Sequence, residues 1–111
     1  MKQRPRPVPQ RDAEADLDAL ARALAALDRP GQVRSFLEDL CTPAELEAMS
    51  DRWKVVPLLL AGLPYREIHE RTGVSVTTIG RVARSLERGT GGYGIAIERL
   101  QRTPRRKAGA S

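Results

Sequence analysis

Apolar residues recur along most of this chain at the three- and four-residue spacing of amphipathic helices. In residues 12–28 the spacing comes from a stripe of four leucines, Leu17, Leu20, Leu24 and Leu27. The sequence Arg29-Pro30-Gly31 then ends the first predicted helix. A second, shorter helix is predicted at about 32–40, with one side formed by Val33, Phe36, Leu37 and Leu40.

A third helix is predicted to begin at Thr42-Pro43-Ala44-Glu45. The threonine hydroxyl can accept a hydrogen bond from the amide three residues on, and the glutamate can reach back to the threonine amide. Proline at the first helical position loses no hydrogen bond. Gly62 suits the left-handed conformation that ends many helices, whereas Pro57 falls inside the helix. The side expected to face a core holds Leu46, Met49, Trp53, Val56 and Leu60.

Residues 65–88 predict two short helices joined by a tight turn. The first helix spans Tyr65 to Arg71, Gly73 allows a sharp turn, and Ser75 is the N-cap of a second helix that runs to about Arg88. The positions expected to be buried are Ile68, Val74, Ile79 and Val82. This pattern is typical of a helix-turn-helix, a unit that binds DNA in some proteins and forms a plain structural corner in others.

A glycine-rich segment, residues 89–94, follows the second helix of the pair. It lacks the Gly-Lys-Ser/Thr sequence of a phosphate-binding loop and follows a helix, so we interpret it as a linker. Residues 93–97 alternate as a strand would, but a helical side also fits, and we favour a short final helix with Tyr93, Ile97 and Leu100 on one side. The whole chain is therefore predicted to be all-α.

The composition of the 111 residues predicts one small domain over 12–100, with basic disordered tails at 1–11 and 101–111. Fourteen residues are alanine, which fills little volume, so a stable monomer is not guaranteed. A single Cys41 and a single His69 exclude a disulfide scaffold and a zinc finger, and we expect no metal and no cofactor. The histidine is expected to pack and to form a hydrogen bond. No apolar run is long enough to span a bilayer, so we expect a cytoplasmic protein without a membrane partner.

Basic charge is concentrated at the chain ends and in the second half. Residues 1–11 and 101–111 each carry four bases and no acid. Residues 12–49 carry nine acids against three bases, whereas residues 50–100 carry eight bases against five acids. This distribution is typical of a nucleic-acid-binding protein, although charged tails can also serve only to keep a small protein soluble.

The exposed side of the helix that begins at Ser75 is predicted to meet double-stranded DNA. Val76, Thr77 and Gly80 are expected to face base edges in the major groove, since small and methyl-bearing groups suit such contacts. The hydroxyls of Ser75 and Thr78 are expected to serve the helix start and nearby phosphates. The cations expected on the flanking DNA backbone are Arg66, Arg81 and Arg84.

Several segments, taken in order, resemble the tryptophan-repressor superfamily. They are residues 40–49 (LCTPAELEAM), Arg52-Trp53, residues 58–62 (LLLAG), residues 65–68 (YREI) and residues 77–82 (TTIGRV). The sequence is more similar to its YerC/YecD group of repressor-related DNA-binding proteins because of Gly91-Gly92-Tyr93 and residues 97–100 (IERL). The resemblance implies six helices and an intertwined homodimer in which the N-terminal helices of one chain pack on the other.

The resemblance also implies positions for an L-tryptophan corepressor. The residues that match those gripping the ligand in the repressor are Thr42, Arg52, Arg81 and Ser85. Val82, however, stands where the repressor has a glycine that leaves a slot for the indole ring, and a valine side chain would occupy that slot. We therefore favour structural or phosphate-facing roles for Arg52 and Arg81 over tryptophan binding.

These patterns favour a transcriptional regulator, a repressor, that binds DNA as a homodimer with the helix 75–88 in the major groove. The alternative is a low-specificity DNA- or chromosome-associated protein bound mainly through its basic tails. An enzyme is not expected, because no convincing base partner accompanies the serines Ser35, Ser50 and Ser75.

Overall fold

The computed structural model describes residues 10–102 and contains six α-helices and no strand over that range. The helices are α1 (Gln10–Ala26), α2 (Pro30–Leu40), α3 (Pro43–Leu60), α4 (Tyr65–Thr72), α5 (Val76–Arg88) and α6 (Gly92–Arg102). The predicted all-α class and the six helices are confirmed. The pair α4 and α5 has the bounds expected from the sequence to within one residue.

The helical region extends slightly into both predicted tails. α1 begins at Gln10 and α6 ends at Arg102, so each helix takes up two residues of the tail predicted beside it. The rest of the two tails, residues 1–9 and 103–111, lies outside the described residues, and their disorder stays a prediction. Among the six described helices, none combines the length and apolar character needed to cross a membrane.

The start of α2 differs from the prediction because of a proline. α2 begins at Pro30, ahead of the predicted start at about residue 32. The amides of Gln32 and Val33 donate to the carbonyl of Arg29 at 3.0 and 3.1 Å, which forms the first helical turn. Proline fits the first position of that turn because its missing amide hydrogen would have no partner there. The same proline that marks the end of one helical pattern therefore opens the next helix.

Both ends of α3 agree with the sequence. The amide of Thr42 donates to Oε1 of Glu45 at 2.8 Å, and the amide of Glu45 donates to Oγ1 of Thr42 at 3.1 Å. This reciprocal pair is the predicted capping box. At the other end Gly62 has a φ of +84°, and its amide donates to the carbonyl of Leu59 at 3.0 Å. A left-handed glycine thus closes the helix as expected.

The chain divides into two compact units, one up to Leu46 and one from Glu47 onward, and α3 contributes to both. In residues 12–46 no side chain is buried, and Leu17 is 66% exposed. The second unit holds a core of six buried aliphatic residues, Val55, Val56, Ile68, Val74, Ile79 and Val82. The four positions predicted to be buried in residues 65–88 are all among them.

The apolar side of α3 is less buried than the sequence predicts. Val56 is buried as expected, and its neighbour Val55 is buried as well, whereas the exposed positions are Met49, Trp53 and Leu60. Trp53 stacks on Tyr93 of α6, with ring centroids 6.3 Å apart and 25° between the ring planes. One ring cannot cover an indole on all sides, so Trp53 stays 36% exposed. The predicted core side of α3 is therefore corrected to an apolar surface that is only partly covered.

Candidate nucleic-acid interface

Helices α4 and α5 are joined by a turn of three residues, and we call residues 65–88 the two-helix unit. Gly73 begins the turn with a φ of +78°, and its amide donates to the carbonyl of His69 at 2.8 Å. This left-handed conformation would cost about 1–2 kcal/mol with any larger side chain. The next residue, Val74, is buried in the core. The turn is therefore both sharply bent and anchored.

Side-chain hydrogen bonds complete the turn. The hydroxyl of Thr72 donates to the carbonyl of Ile68 at 2.7 Å and accepts from the amide of Val74 at 3.1 Å. Nδ1 of His69 donates to the carbonyl of Val74 at 2.7 Å. Both backbone polar groups of the buried Val74 are thus satisfied, as buried groups must be. The expectation that His69 forms a hydrogen bond is confirmed.

The N-terminus of α5 is capped by a pair of hydroxyl groups. Oγ of Ser75 accepts from the amide of Thr78 at 3.1 Å and donates to Oγ1 of Thr78 at 3.0 Å. Ser75 is therefore the N-cap that the sequence predicts. Both hydroxyls lie at the positive end of the helix dipole, an environment that favours an anion such as a phosphate.

Along its length α5 has a buried side and an exposed side. Ile79 and Val82 are fully packed in the core and hold the helix in place. Gly80 lies on the flank and is half-buried beside the ring of Tyr65. The exposed side carries four further predicted or candidate DNA-facing residues and one additional cation: Val76, Thr77, Arg81, Arg84 and Arg88.

The cations of the chain differ in whether they have an acidic partner. On α2, α3, α4 and α6, four of them pair with an acid three or four residues away: Arg34 with Glu38, Lys54 with Asp51, Arg71 with Glu67 and Arg102 with Glu98. Within residues 10–102 no ion-pair partner accompanies Arg66 or the three arginines of α5. Their guanidinium groups therefore keep every donor available for an external anion.

The three arginines of α5 line one groove. Its cavity volume is about 340 Å³, and it is bounded by Arg81, Arg84, Ser85, Arg88 and Gly89. Sequence reasoning did not include Arg88 among the site residues. Its spacing gives the missing signal, because Arg88 follows Arg84 by four residues and Arg81 by seven, which places all three on one side of a helix. The groove is consequently a cluster of like charges suited to an anionic ligand.

The residues matched to a corepressor site are not all gathered in this groove. Arg81 and Ser85 line it, whereas Arg52 is half-buried on α3 and is not among the lining residues. Thr42 belongs to the first compact unit, where it forms the capping box. Val82 is 1% exposed and packs inside the core. Among the described residues, no group of three or more His, Cys, Asp and Glu side chains could hold a metal ion.

Six helices with this arrangement define a small all-α protein of the Trp repressor type. The family model of the Trp repressor protein matches residues 15–101, and the chain belongs to this family, whose members are generally DNA-binding regulators. The predicted relationship to the tryptophan-repressor superfamily is confirmed.

Individual relatives agree with this assignment. The "Uncharacterized protein YerC" of Bacillus subtilis (strain 168) is 34% identical over 88 residues, which cover 79% of this chain and 85% of the relative. A candidate Trp repressor from Staphylococcus aureus has a TM-score of 0.73 at 33% identity and covers 82% of this chain and 91% of its own. A TrpR-like protein from Eubacterium eligens ATCC 27750 has a TM-score of 0.73 at 35% identity, with coverages of 82% and 94%.

Two glycines of the two-helix unit should respond to alanine in opposite ways. Gly80→Ala should raise the free energy of unfolding by up to about 1 kcal/mol, because alanine is the better helix former. The added Cβ would lie 3.9 Å from Cε2 of Tyr65, an ordinary contact. Gly73→Ala, the matched control, should lower the free energy of unfolding by about 1–2 kcal/mol, since its φ is left-handed.

Urea unfolding of the three proteins at one concentration measures both effects. A destabilised Gly80→Ala protein would show that position 80 tolerates no side chain. An unchanged Gly73→Ala protein would show that the turn can adopt another conformation.

Proposed function

We propose that this protein is a transcriptional repressor that binds double-stranded DNA as a cytoplasmic homodimer, with α5 of the two-helix unit in the major groove. The observation that carries the proposal is the row of unpaired arginines on the exposed side of a helix whose other side is fixed in the core. A rigid helix with unneutralised cations has the shape and charge that suit the groove of DNA. Membership in a family of DNA-binding regulators supports the same function.

Within this proposal the exposed side of α5 has two kinds of contact. Val76 and Thr77 approach base edges, where their methyl groups suit thymine methyls, and Gly80 lets the backbone come close. The hydroxyls of Ser75 and Thr78 lie beside the flanking phosphates at the helix start. The cations that hold the DNA backbone are Arg66, Arg81 and Arg84, none of which has an acidic partner within residues 10–102.

A low-specificity DNA- or chromosome-associated protein remains the second candidate. It is favoured by the basic tails, which carry eight bases and no acid over residues 1–11 and 101–111. In that case the tails would supply most of the affinity, and the exposed side of α5 would not discriminate between sequences. The two functions therefore predict different effects on duplex affinity when a residue of α5 is substituted without a change of charge.

The homodimer accounts for the apolar surface of the single chain. The leucine stripe of residues 17–27, which ends one residue beyond α1, ranges from half-buried to exposed, with Leu17 the most exposed of the four. Large apolar side chains are also exposed at Leu40, Met49, Trp53, Leu60, Ile95 and Leu100. So much exposed apolar surface on a small helical protein is typical of an association surface. We therefore infer that a second copy covers these residues.

We further infer that L-tryptophan is not a ligand. The Val82 side chain, which replaces the glycine expected for an indole slot, is packed in the core rather than free to move aside. Arg81 and Ser85 instead face the groove that holds Arg84 and Arg88. Three neighbouring guanidinium groups suit a polyanion better than a flat apolar ring.

The contribution of Thr77 to sequence recognition should be separable from the contribution of the arginine charges to duplex affinity. Thr77→Ala should weaken binding to the preferred duplex by about 1–3 kcal/mol and leave binding to random duplex almost unchanged. Arg84→Ala should weaken both and reduce the slope of log affinity against log salt by about one unit. Thr90→Ala and Arg34→Ala are matched controls, because Thr90 is exposed outside α5 and Arg34 is neutralised by Glu38.

The preferred duplex is first selected from a random pool, and affinities are then measured by fluorescence anisotropy at stated salt. If deleting residues 1–11 and 101–111 abolished binding while Thr77→Ala changed nothing at any sequence, the low-specificity function would replace the proposed one.

Dimerisation should appear directly in the sedimented mass. At micromolar concentration the chain should sediment at about twice 12.2 kDa. Leu17→Asp should shift the protein toward monomer, since it puts a charge into the inferred apolar contact. Ala15→Asp is the control, because Ala15 lies on the opposite side of α1. A wild-type monomer that keeps its full helicity would contradict the homodimer.

Titration with L-tryptophan should give no saturable heat at sub-millimolar concentration, because the Val82 side chain occupies the place of the indole slot. Duplex affinity, measured with and without L-tryptophan, should also stay the same. Saturable binding with one ligand per chain would contradict the inference from Val82 and restore a corepressor role for Arg52 and Arg81.

A further inference from the structure

Tyr65 lies against α5 although it belongs to α4. It is the first residue of α4 and is 42% exposed. It is not one of the residues predicted from the sequence to contact DNA. Its Cε2 atom is 3.9 Å from the point where a side chain at Gly80 would place its Cβ. The ring of Tyr65 therefore borders α5 at the position of Gly80. The two residues together make one feature of the two-helix unit.

The hydroxyl end of this tyrosine is the part that reaches α5. Cε2 is bonded to the ring carbon that carries the hydroxyl, so the hydroxyl oxygen is two bonds from the atom beside Gly80. Within residues 10–102 the Tyr65 hydroxyl has no hydrogen-bond partner. A phenolic hydroxyl is both donor and acceptor. The molecule therefore presents, at the flank of α5, a hydroxyl donor that no other described residue occupies.

The surroundings of the hydroxyl favour an anionic acceptor. Gly80 follows Val76 by four residues and Thr77 by three, so the ring borders the exposed side of α5. The unpaired Arg66 is the next residue of α4, and the helix dipole of α4 is positive at this end. A group at the flank of a helix in the major groove meets the wall of the groove, which is lined by phosphates.

We propose that Tyr65 is a DNA-contacting residue whose hydroxyl donates a hydrogen bond to a backbone phosphate beside α5. This inference rests on the proposed function, because it requires α5 to enter the major groove. The contact is neutral and does not read bases. It fixes the register of the two-helix unit on the duplex.

The test compares the two tyrosines of the chain. Tyr65→Phe removes the hydroxyl and keeps the ring against Gly80, so the fold is retained. It should weaken binding to the preferred and the random duplex alike by about two- to tenfold, the effect of one hydrogen bond. The salt slope should not change, since no charge is lost. Tyr93→Phe, which removes a hydroxyl from the ring stacked on Trp53, should bind as the wild type does.

A second measurement observes the ring itself. In the Tyr93→Phe protein grown with 3-fluorotyrosine, Tyr65 is the single labelled residue, and its fluorine resonance should shift on addition of duplex with the same midpoint as the anisotropy titration. A resonance that does not move while the duplex binds would overturn the contact.

The remaining outcomes separate this inference from the proposed function. If the wild type binds duplex and Tyr65→Phe binds both duplexes equally well, the phosphate contact is overturned and the proposed function stands. If Tyr65→Phe loses affinity for the preferred duplex alone, the hydroxyl contacts a base and the phosphate assignment is overturned. If the wild type binds neither duplex, the proposed function itself fails.

Discussion

The presentation of α5 depends on six aliphatic side chains packed beneath it. Ile79 and Val82 are buried on the inner side of the helix, and they meet Ile68 of α4, Val74 of the turn and the valine pair of α3. Burial of each such side chain contributes about 1.5–3 kcal/mol, so the contact is strong for its size. A helix held along one side has its opposite side defined at the same time. The core therefore decides which residues of α5 face outward.

The turn between α4 and α5 also holds the two helices in a fixed orientation. A buried valine in a turn would leave two backbone groups without water, and Thr72 and His69 supply their hydrogen bonds instead. Gly73 provides the left-handed step that most other residues make only with strain. These hydrogen bonds offset the cost of removing the backbone groups of Val74 from water, so that its side chain can be buried in the core. The two-helix unit is consequently stiff where a functional surface needs to be stiff.

Local chemistry explains which parts of the structure could be predicted from the sequence. The caps at Thr42 and Ser75, the left-handed Gly62 and the buried positions of residues 65–88 are each determined by neighbours a few residues away. The exposure of Trp53 and the contact of Tyr65 with Gly80 are not, because they depend on how separate helices meet. Helical periodicity reports that a side is apolar but does not report what covers it. The start of α2 at Pro30 shows a similar limit, because proline is common both shortly after a helix end and at the first position of a helix.

Net charge by itself understates the electrostatic character of α5. Three arginines on other helices, Arg34, Arg71 and Arg102, each pair with a glutamate one helical turn away, and each such pair is close to neutral from a distance. On α5 the glutamate at position 87 forms no ion pair within residues 10–102, and three guanidinium groups share one groove. Uncompensated charge is what attracts a polyanion, and its effect extends about a Debye length, roughly 8 Å at physiological salt. The three arginines of α5 are therefore a local concentration of uncompensated positive charge on the exposed side of that helix.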